Sequence, residues 1–342
     1  MIYQEPTWKL FEDLVRRILE RNAFRIEINS VCGDNGFDFL GNLKNDLWAI
    51  EVKYYRTARA RLSLIESAAV RVVTNGINRQ VDKGMLIISG LLTPEIRSVL
   101  NEKYNIIFVD RVDLRNLASV SPELIDELDA LLELAPEFSD DQKTSKLELD
   151  KVTMRIGGKN HLPIDKKGSE LCNELKTINK GKKDWAKYES TCAEILKYLF
   201  PNDLKGWHKQ KSTDDGVNRY DFVCRVSPTT EFWKFLVENL NSRYIIFEFK
   251  NYSEKIKQGQ ILTTEKYLLE RGLRRVAIIF TRCGVDKNAV CMMQGAMREH
   301  GKLILSVDDN VVCKMLHMKE RGDDPTDLLF ELTDNFLLSL PR

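Results

Sequence analysis

Leu47-Trp48-Ala49-Ile50-Glu51-Val52-Lys53 is the most informative stretch of the chain, because it predicts a short buried β-strand that carries two charges. Side chains alternate along a strand, so Ile50 and Val52 are expected on one face and Ala49, Glu51 and Lys53 on the other. Leaving a buried charge unpaired costs several kcal/mol, which predicts that Glu51 and Lys53 are ion-paired or metal-bound. On a protein surface, an isolated acid–x–lysine pair would indicate only an ordinary ion pair.

Two further acids precede this strand. Gly36-Phe37-Asp38-Phe39 predicts a turn followed by a strand that carries Asp38. Residues 8–22 have the period of an amphipathic helix, with Glu12 at the edge of the apolar stripe; considered alone, Glu12 is interpreted as a solvated flank residue. The stripe comprises Trp8, Phe11, Leu14, Val15, Ile18 and Leu19.

The same order of landmarks returns late in the chain. Tyr220-Asp221-Phe222 corresponds to the strand with Asp38, and Tyr244-Ile245-Ile246-Phe247-Glu248-Phe249-Lys250 corresponds to the central strand. Trp185 heads a second apolar helical stripe, and Glu189 follows it at the spacing that joins Trp8 and Glu12. Recurrence of order, element type and polar landmarks predicts two divergent copies of one domain. The predicted catalytic residues are Glu12, Asp38, Glu51 and Lys53, then Glu189, Asp221, Glu248 and Lys250.

Strands that alternate with helices predict an α/β fold, and 342 residues suit about two domains. We predict an N-terminal domain at 1–119, a charged helical linker at 120–184, and a second domain with a C-terminal extension at 185–342. The linker carries a net charge of −8 over residues 123–150 and +6 over 151–183, so its halves are suited to pair. Its basic half ends in Lys180, Lys182 and Lys183, for which a solvated surface and contact with phosphate are both open.

Bulk composition sets few limits on function. A net charge of +1 and a pI of about 7.5 neither require nor exclude nucleic acid as a partner. Seven cysteines without a CxxC pair predict reduced thiols in an intracellular protein. The N-terminus lacks the pattern of a secretion signal, and no apolar run approaches the ~20 residues of a membrane span. A soluble, cytoplasmic protein without membrane contact is therefore expected.

The predicted acids suit a metal site, because carboxylate oxygens are the ligands that Mg²⁺ and Mn²⁺ prefer. Asp38, Glu51 and the peptide oxygen of Val52 are the expected ligands, with Asp221, Glu248 and Phe249 as the equivalent set. A metal there would polarise a phosphate and acidify a bound water. Lys53 would orient that water and offset developing negative charge. The sequence contains no GxSxG, HExxH or GxxxxGK[ST] motif, and its four histidines have no metal-binding spacing.

These residues resemble the PD-(D/E)xK nuclease superfamily and, within it, the Mrr-like restriction endonucleases. The resemblance covers about residues 8–118, through Phe11-Glu12, Gly36-Phe37-Asp38, Ile50-Glu51-Val52-Lys53-Tyr54-Tyr55 and a closing Asp113-Leu114. Residues 185–315 are similar but more divergent. The resemblance implies two restriction-endonuclease-like domains, each with a central mixed β-sheet flanked by helices.

In function, the resemblance implies a Mg²⁺-dependent endonuclease, with Mn²⁺ able to substitute, that cleaves double-stranded DNA in restriction or anti-phage defence. Two sites in one chain would form an intramolecular pseudo-dimer. Partner proteins of a defence system and a homodimer are open alternatives. Two other functions also stay open: a catalytically decayed subunit that binds nucleic acid and recruits a partner, and a nuclease that acts on RNA.

Contacts with nucleic acid are predicted from basic residues that follow each central strand. In the first copy these are Arg56, Arg59 and Arg61, and in the second they are Lys255 and Lys257. The sequence has no helix-turn-helix, zinc-finger or RNA-binding signature.

Overall fold

A computed structural model describes residues 6–28, 36–133, 148–156, 163–209 and 221–341. The chain divides into two compact units, each described by itself below. The first comprises Met1–Asp165 and Arg321–Asp323, and the second comprises Lys166–Glu320 and Asp324–Arg342. The predicted boundaries at residues 119 and 184 stay predictions. Parts of the predicted linker (134–147 and 157–162) and Tyr220 lie outside the described residues.

The first unit alternates helices and strands as predicted. Its elements are α1 (Thr7–Arg21), β1 (Arg25–Ile28), β2 (Phe39–Leu43), β3 (Asp46–Lys53), α2 (Leu62–Asn78), β4 (Lys83–Ile88), α3 (Pro94–Lys103), β5 (Ile107–Val109), α4 (Arg111–Ala118) and α5 (Pro122–Leu131). Local signals delimit several of them. Thr93 caps α3 ahead of Pro94, and Asp110 opens α4 with a capping box.

The strands of the first unit form one five-stranded mixed sheet in the order β1-β2-β3-β4-β5. β2 pairs antiparallel with both β1 and β3, whereas β4 pairs parallel with both β3 and β5. The central strand β3 is buried from Trp48 to Lys53, as its apolar sequence predicts. Its two faces belong to different cores: Ile50 and Val52 pack on the side of α1, α4 and α5, and Ala49 packs on the side of α2 and α3. The predicted alternation of β3 is therefore confirmed.

The second unit has its own set of elements. They are α6 (Lys167–Thr177), α7 (Trp185–Leu199), β6 (Leu204–Lys209), β7 (Phe222–Val226), α8 (Glu231–Glu238), β8 (Tyr244–Lys250), α9 (Gln258–Tyr267), β9 (Val276–Thr281), α10 (Lys287–His300), β10 (Leu303–Asp308), α11 (Asp309–Glu320) and α12 (Pro325–Leu338).

The sheet of the second unit has the order β6-β7-β8-β9-β10, which is the order of the first sheet. β6, β7 and β8 are antiparallel neighbours, and β8, β9 and β10 are parallel. Helices cover both faces, with α6, α7, α8, α11 and α12 on one side and α9 and α10 on the other. The predicted α/β fold class, with two mixed sheets flanked by helices, is therefore confirmed.

Two tryptophans depart from the predicted burial. Trp8 is 54% exposed and Trp185 is 53% exposed, although the helical period had placed both in an apolar stripe. Each lies in the first turn of its helix, ahead of the first residue that packs into the core, which is Phe11 in α1 and Tyr188 in α7. The helical period identifies the buried side of a helix but not where along the helix the packing begins.

The expectation of reduced cysteines is wrong for one pair. Cys172 on α6 and Cys313 on α11 form a disulfide across a sequence separation of 141 residues. Their Cα atoms are 5.2 Å apart, within the range that a disulfide spans, because the two helices pack closely.

In the described part of the chain, no helix combines the length and apolarity needed to cross a membrane.

Candidate active site

In the first unit, strand register brings Asp38 and Glu51 together. Asp38 directly precedes β2, and Phe39 pairs with Ile50, so Asp38 lies across from Glu51 on the neighbouring strand. The Asp38 amide donates to the carbonyl oxygen of Ile50 at 3.0 Å, and its Oδ2 accepts from the Val52 amide at 2.7 Å. Directly opposed residues of antiparallel strands have Cβ atoms about 5 Å apart, so the two carboxylates share one small region.

Lys53 provides the positive charge of this site and is only 6% exposed. Its Nζ lies 2.6 Å from Oε1 of Glu51 and 2.9 Å from Oδ1 of Asp323. Burial by itself lowers the pKa of a lysine, but the carboxylates of Asp323, Glu51 and Asp38 outweigh it and raise the pKa of Lys53 well above its ordinary value. Lys53 is therefore a fixed cation at neutral pH.

The pKa values of the acids near Lys53 are raised, because burial disfavours their ionised forms. Burial raises the pKa of Glu51 to about 8, with a further increase from Asp38 that Lys53 only partly offsets. Burial likewise raises the pKa of Glu12 on α1 to about 7, and Asp38 again adds to the effect. The pKa of Asp38 is also raised, mainly by burial. Asp38 and Lys53 thus both influence the pKa of Glu12, and the catalytic role of Glu12 stays a prediction.

Asp323 is the site residue that sequence reasoning missed. It belongs to the tripeptide Arg321–Asp323, which is part of the first unit despite its late place in the chain. The Tyr55 hydroxyl donates to the carbonyl oxygen of Gly322 at 2.8 Å, and Arg321 Nε lies 3.5 Å from Asp323 Oδ2. Gly322 has a φ of +84°, and a Cβ there would collide with backbone atoms of Leu64 and Ala68. Glycine is therefore required for this contact.

The second unit repeats the arrangement of acid and backbone. Asp221 directly precedes β7, and Phe222 pairs with Phe247, the residue before Glu248. Oδ2 of Asp221 accepts a hydrogen bond from the Phe249 amide at 2.9 Å, as Asp38 does from Val52. Both units therefore hold their strand aspartate by the same kind of backbone hydrogen bond.

The ion pair of the second unit joins Glu248, which is buried, and Lys250, which is half-buried. Lys250 Nζ lies 2.5 Å from Oε2 of Glu248 and 4.0 Å from Oδ2 of Asp221. Burial raises the pKa of Glu248 to about 7, with Lys250 lowering it and Asp221 raising it further. Oε1 of Glu248 is buried and has no hydrogen-bond partner in the described part of the chain. The predicted third acid, Glu189, is buried on α7 with 5% exposure, and its role stays a prediction.

The donor chemistry of both sites fits a divalent cation. In the first unit, four carboxyl groups (Glu12, Asp38, Glu51 and Asp323) act on Lys53 or on one another, and a bound cation would favour the ionised forms of Glu12, Asp38 and Glu51, whose pKa values are raised. In the second unit, Oε1 of Glu248 is buried without a hydrogen-bond partner among the described residues, although Oε2 contacts Lys250. Among the described residues, however, no three acidic, histidine or cysteine side chains already converge on a metal position. Lys53 and Lys250 contact carboxylate oxygens instead. Metal ligation by Asp38, Glu51, Val52, Asp221, Glu248 and Phe249 stays a prediction.

The predicted nucleic-acid contacts lie just beyond the central strands. Arg59 is exposed in the loop after β3, and Arg56 and Arg61 are half-buried there. Lys255 and Lys257 are exposed after β8, where they line a pocket of the second unit.

A mixed sheet that presents an aspartate and a Glu-x-Lys strand at its centre defines a domain of the restriction-endonuclease class. Residues 3–118 match the Mrr_cat family model, which is described as a restriction endonuclease. The predicted resemblance to this family is therefore confirmed over that stretch, which is less than half of the chain. The matched range lies within the first unit, so tandem duplication of the domain stays an inference from the two sheets.

Two solved structures resemble the chain weakly. The structure of restriction endonuclease FokI has a TM-score of 0.34 at 10% identity, covering 85% of this chain and 50% of that one. The structure of FokI bound to DNA has a TM-score of 0.30 at 12% identity, covering 80% and 48%. This chain therefore spans about half the length of either structure. Comparison with curated proteins gives no match.

Proposed function

We propose that the first unit is a divalent-metal-dependent endonuclease that hydrolyses DNA phosphodiester bonds, and that the second unit carries an equivalent site. The observation that supports this most strongly is the pair of matching hydrogen bonds, Asp38 to Val52 and Asp221 to Phe249. In each case the aspartate is held beside a buried glutamate that is ion-paired with the lysine two residues later. The same hydrogen-bond geometry in both units supports an equivalent role for the two aspartates.

The side chains of the first unit suit separate roles in hydrolysis. Lys53 is cationic at neutral pH, so it would donate hydrogen bonds to the attacking water and stabilise negative charge on the phosphate rather than act as a base. Glu12, with a pKa of about 7, is the carboxylate best matched to proton exchange at neutral pH. Asp38 and Glu51, with the Val52 peptide oxygen, would hold Mg²⁺ or Mn²⁺, which supplies Lewis-acid polarisation of the phosphate and a more acidic water.

The proposal is tested with supercoiled plasmid and Mg²⁺, using Lys53→Ala, Lys250→Ala and the double variant. We expect each single variant to convert plasmid mainly to nicked circles, since each site would cut one strand, and the double variant to be inactive. Lys103→Ala, in a surface ion pair with Glu66, is the matched control and should cleave like wild type. Full linearisation by both single variants would refute the two-site proposal. Loss of activity in Lys53→Ala alone would leave the second site without a catalytic role.

Two alternatives are separated by the same assay. Equal cleavage of an RNA and of the DNA of the same sequence would show that the nuclease acts on both nucleic acids rather than on DNA alone. If wild type cleaves neither nucleic acid with Mg²⁺ or Mn²⁺ but binds DNA without metal, the result would instead support a decayed subunit that recruits a partner.

We also propose a role in restriction or anti-phage defence. If that is correct, expression should lower phage plating efficiency, and Lys53→Ala should restore it.

A further inference from the structure

A basic surface lies beside the candidate site of the second unit and is tied to it by a buried asparagine. Asn251 follows Lys250 directly and is 5% exposed. Its Nδ2 donates to the carbonyl oxygens of Asn179 and Gly181 at 3.0 and 2.9 Å, and its own carbonyl accepts from the Gly181 amide at 2.7 Å. Gly181 adopts a φ of +105°, which favours glycine. These contacts hold Lys182 next to the residues that follow β8.

The resulting pocket has a volume of about 330 Å³ and is lined mainly by polar residues. Three exposed lysines, Lys182, Lys255 and Lys257, face one glutamate, Glu254, so the pocket carries a net charge of +2. Glu254 lies 3.6 Å from Lys257 in an exposed pair, which solvent screens strongly. Lys182 and Lys255 therefore keep most of their attraction for an anion.

An exposed aromatic ring lies on the same pocket. Tyr252 is 43% exposed and stands two residues after Lys250, whose pKa its phenol influences. Tyr55 holds the same position after Lys53 in the first unit, but it is 2% exposed and is committed to Gly322. The exposure of Tyr252 is thus particular to the second unit and is not a requirement of the fold.

We propose that this surface binds a single-stranded segment of the DNA substrate, with phosphates on Lys182 and Lys255 and an unpaired base stacked on Tyr252. Lysines that track a backbone and an aromatic ring that stacks a base are the two components of single-strand binding. That the substrate is DNA rests on the proposed function. The new element is that the second unit recognises unpaired or distorted DNA next to Lys250.

Binding is measured by fluorescence anisotropy in EDTA, with a single-stranded oligonucleotide and the duplex of the same sequence. Tyr252→Ala should weaken single-strand binding by about 5- to 150-fold, the loss of one stacked base at 1–3 kcal/mol. The double variant Lys182→Ala/Lys255→Ala should lower the salt dependence by about 0.7 per lysine in the log–log slope. Lys234→Ala, on the exposed side of α8, is the control and should bind like wild type. Wild-type affinity in Tyr252→Ala would overturn the proposal.

A second measurement does not depend on substitution. Cys283 lies at this surface, with its Sγ 3.2 Å from Lys180 Nζ and 3.4 Å from the Ser253 carbonyl oxygen, whereas Cys291 is exposed on α10. Single-stranded DNA should slow alkylation of Cys283 and leave Cys291 unchanged. Equal rates at Cys283 with and without DNA would exclude this surface. Both measurements omit metal, so they do not depend on cleavage. If DNA slows alkylation of Cys283 but the protein does not cleave DNA, the nuclease proposal alone is refuted. If the protein cleaves DNA but DNA does not slow alkylation of Cys283, this inference alone is refuted.

Discussion

Asp38 accepts a hydrogen bond from the backbone amide of Val52 across 2.7 Å, which fixes a carboxylate beside a buried glutamate and lysine. Asp221 repeats the bond with Phe249 at 2.9 Å in the second unit. When one carboxylate oxygen accepts a hydrogen bond from the backbone, the other oxygen can still bind a cation or solvent. The same bond therefore stabilises the strand pair and orients the aspartate.

This double role separates two substitutions of the aspartate. Asp38→Asn keeps a side-chain oxygen for the Val52 amide, whereas Asp38→Ala leaves that buried donor unpaired. We expect Asp38→Ala to lower the free energy of unfolding by about 1–3 kcal/mol more than Asp38→Asn, as measured by urea denaturation. If Asp38 binds the metal as proposed, both should reduce cleavage by at least on the order of 10- to 100-fold, since both remove the charge of that ligand. Asp221→Asn and Asp221→Ala form the matched pair in the second unit, and equal stability of Asn and Ala variants at both positions would contradict the structural role.

The raised pKa of Glu51 predicts how stability depends on pH without metal. Its folded-state pKa of about 8 lies above that of an exposed glutamate, so the folded protein binds a proton that the unfolded chain has released. The free energy of unfolding should therefore fall as the pH rises from about 4.5 to about 8. Denaturation in EDTA across this range measures the effect, and Glu51→Gln should reduce the slope, leaving the part that Glu12, Asp38 and Glu248 contribute. Glu102→Gln, on an exposed side of α3, is the control. A wild-type slope in Glu51→Gln would show that another group causes the dependence.

The ion pair between Lys53 and Asp323 should be energetically significant. Their side chains are 7% and 27% exposed, so solvent screens the pair much less than a surface pair. A double-mutant cycle with Lys53→Ala and Asp323→Ala should give a coupling energy of about 1–3 kcal/mol. The pair Lys103–Glu66, at 47% and 27% exposure, is the reference and should give less than about 1 kcal/mol.

Gly322 supplies an independent test of the same tripeptide. Gly322→Ala should destabilise the first unit and lower its cleavage activity, because the added Cβ collides with Leu64 and Ala68 and the φ of +84° disfavours alanine. The comparison variant is Gly259→Ala in α9, where a Cβ meets nothing within 4 Å. If Gly322→Ala folds and cleaves as wild type does, Asp323 is not held at Lys53 in the way described.

The disulfide between Cys172 and Cys313 should stabilise the second unit. It closes a long loop, so its removal by Cys313→Ala should lower the free energy of unfolding by about 2–4 kcal/mol. Alkylation before reduction should spare these two cysteines and modify the exposed Cys291. Full alkylation of Cys172 in the native, unreduced protein would show that the bond does not form in solution.

Much of the site was predictable because its parts are close in sequence. Asp38 and Val52 are 14 residues apart across one hairpin, so the pattern of two adjacent strands suffices to place them together. Glu51 and Lys53 share one face by strand geometry alone. The matching landmarks of the second unit were predictable for the same reason, although its hydrogen bond spans 28 residues.

Other features had no local signal. Trp8 and Trp185 satisfy the helical period, yet neighbouring elements rather than periodicity decide that the first turn of each helix stays exposed. The pairing of Cys172 with Cys313 depends on how α6 packs on α11. The same is true of Tyr252, whose exposure differs from that of Tyr55 at the equivalent position.

The sequence by itself determined the strand Leu47–Lys53, its charged face, its preceding aspartate and their repetition, because strand geometry and short hairpins act over a few residues. Only the tertiary structure decided that Asp323 pairs with Lys53, through a tripeptide that contacts Tyr55 across 267 residues of chain. Contacts of that range arise from the packing of whole elements, which no local pattern encodes. The physical character of Lys53, a buried ammonium held by two carboxylates rather than one, follows from that packing.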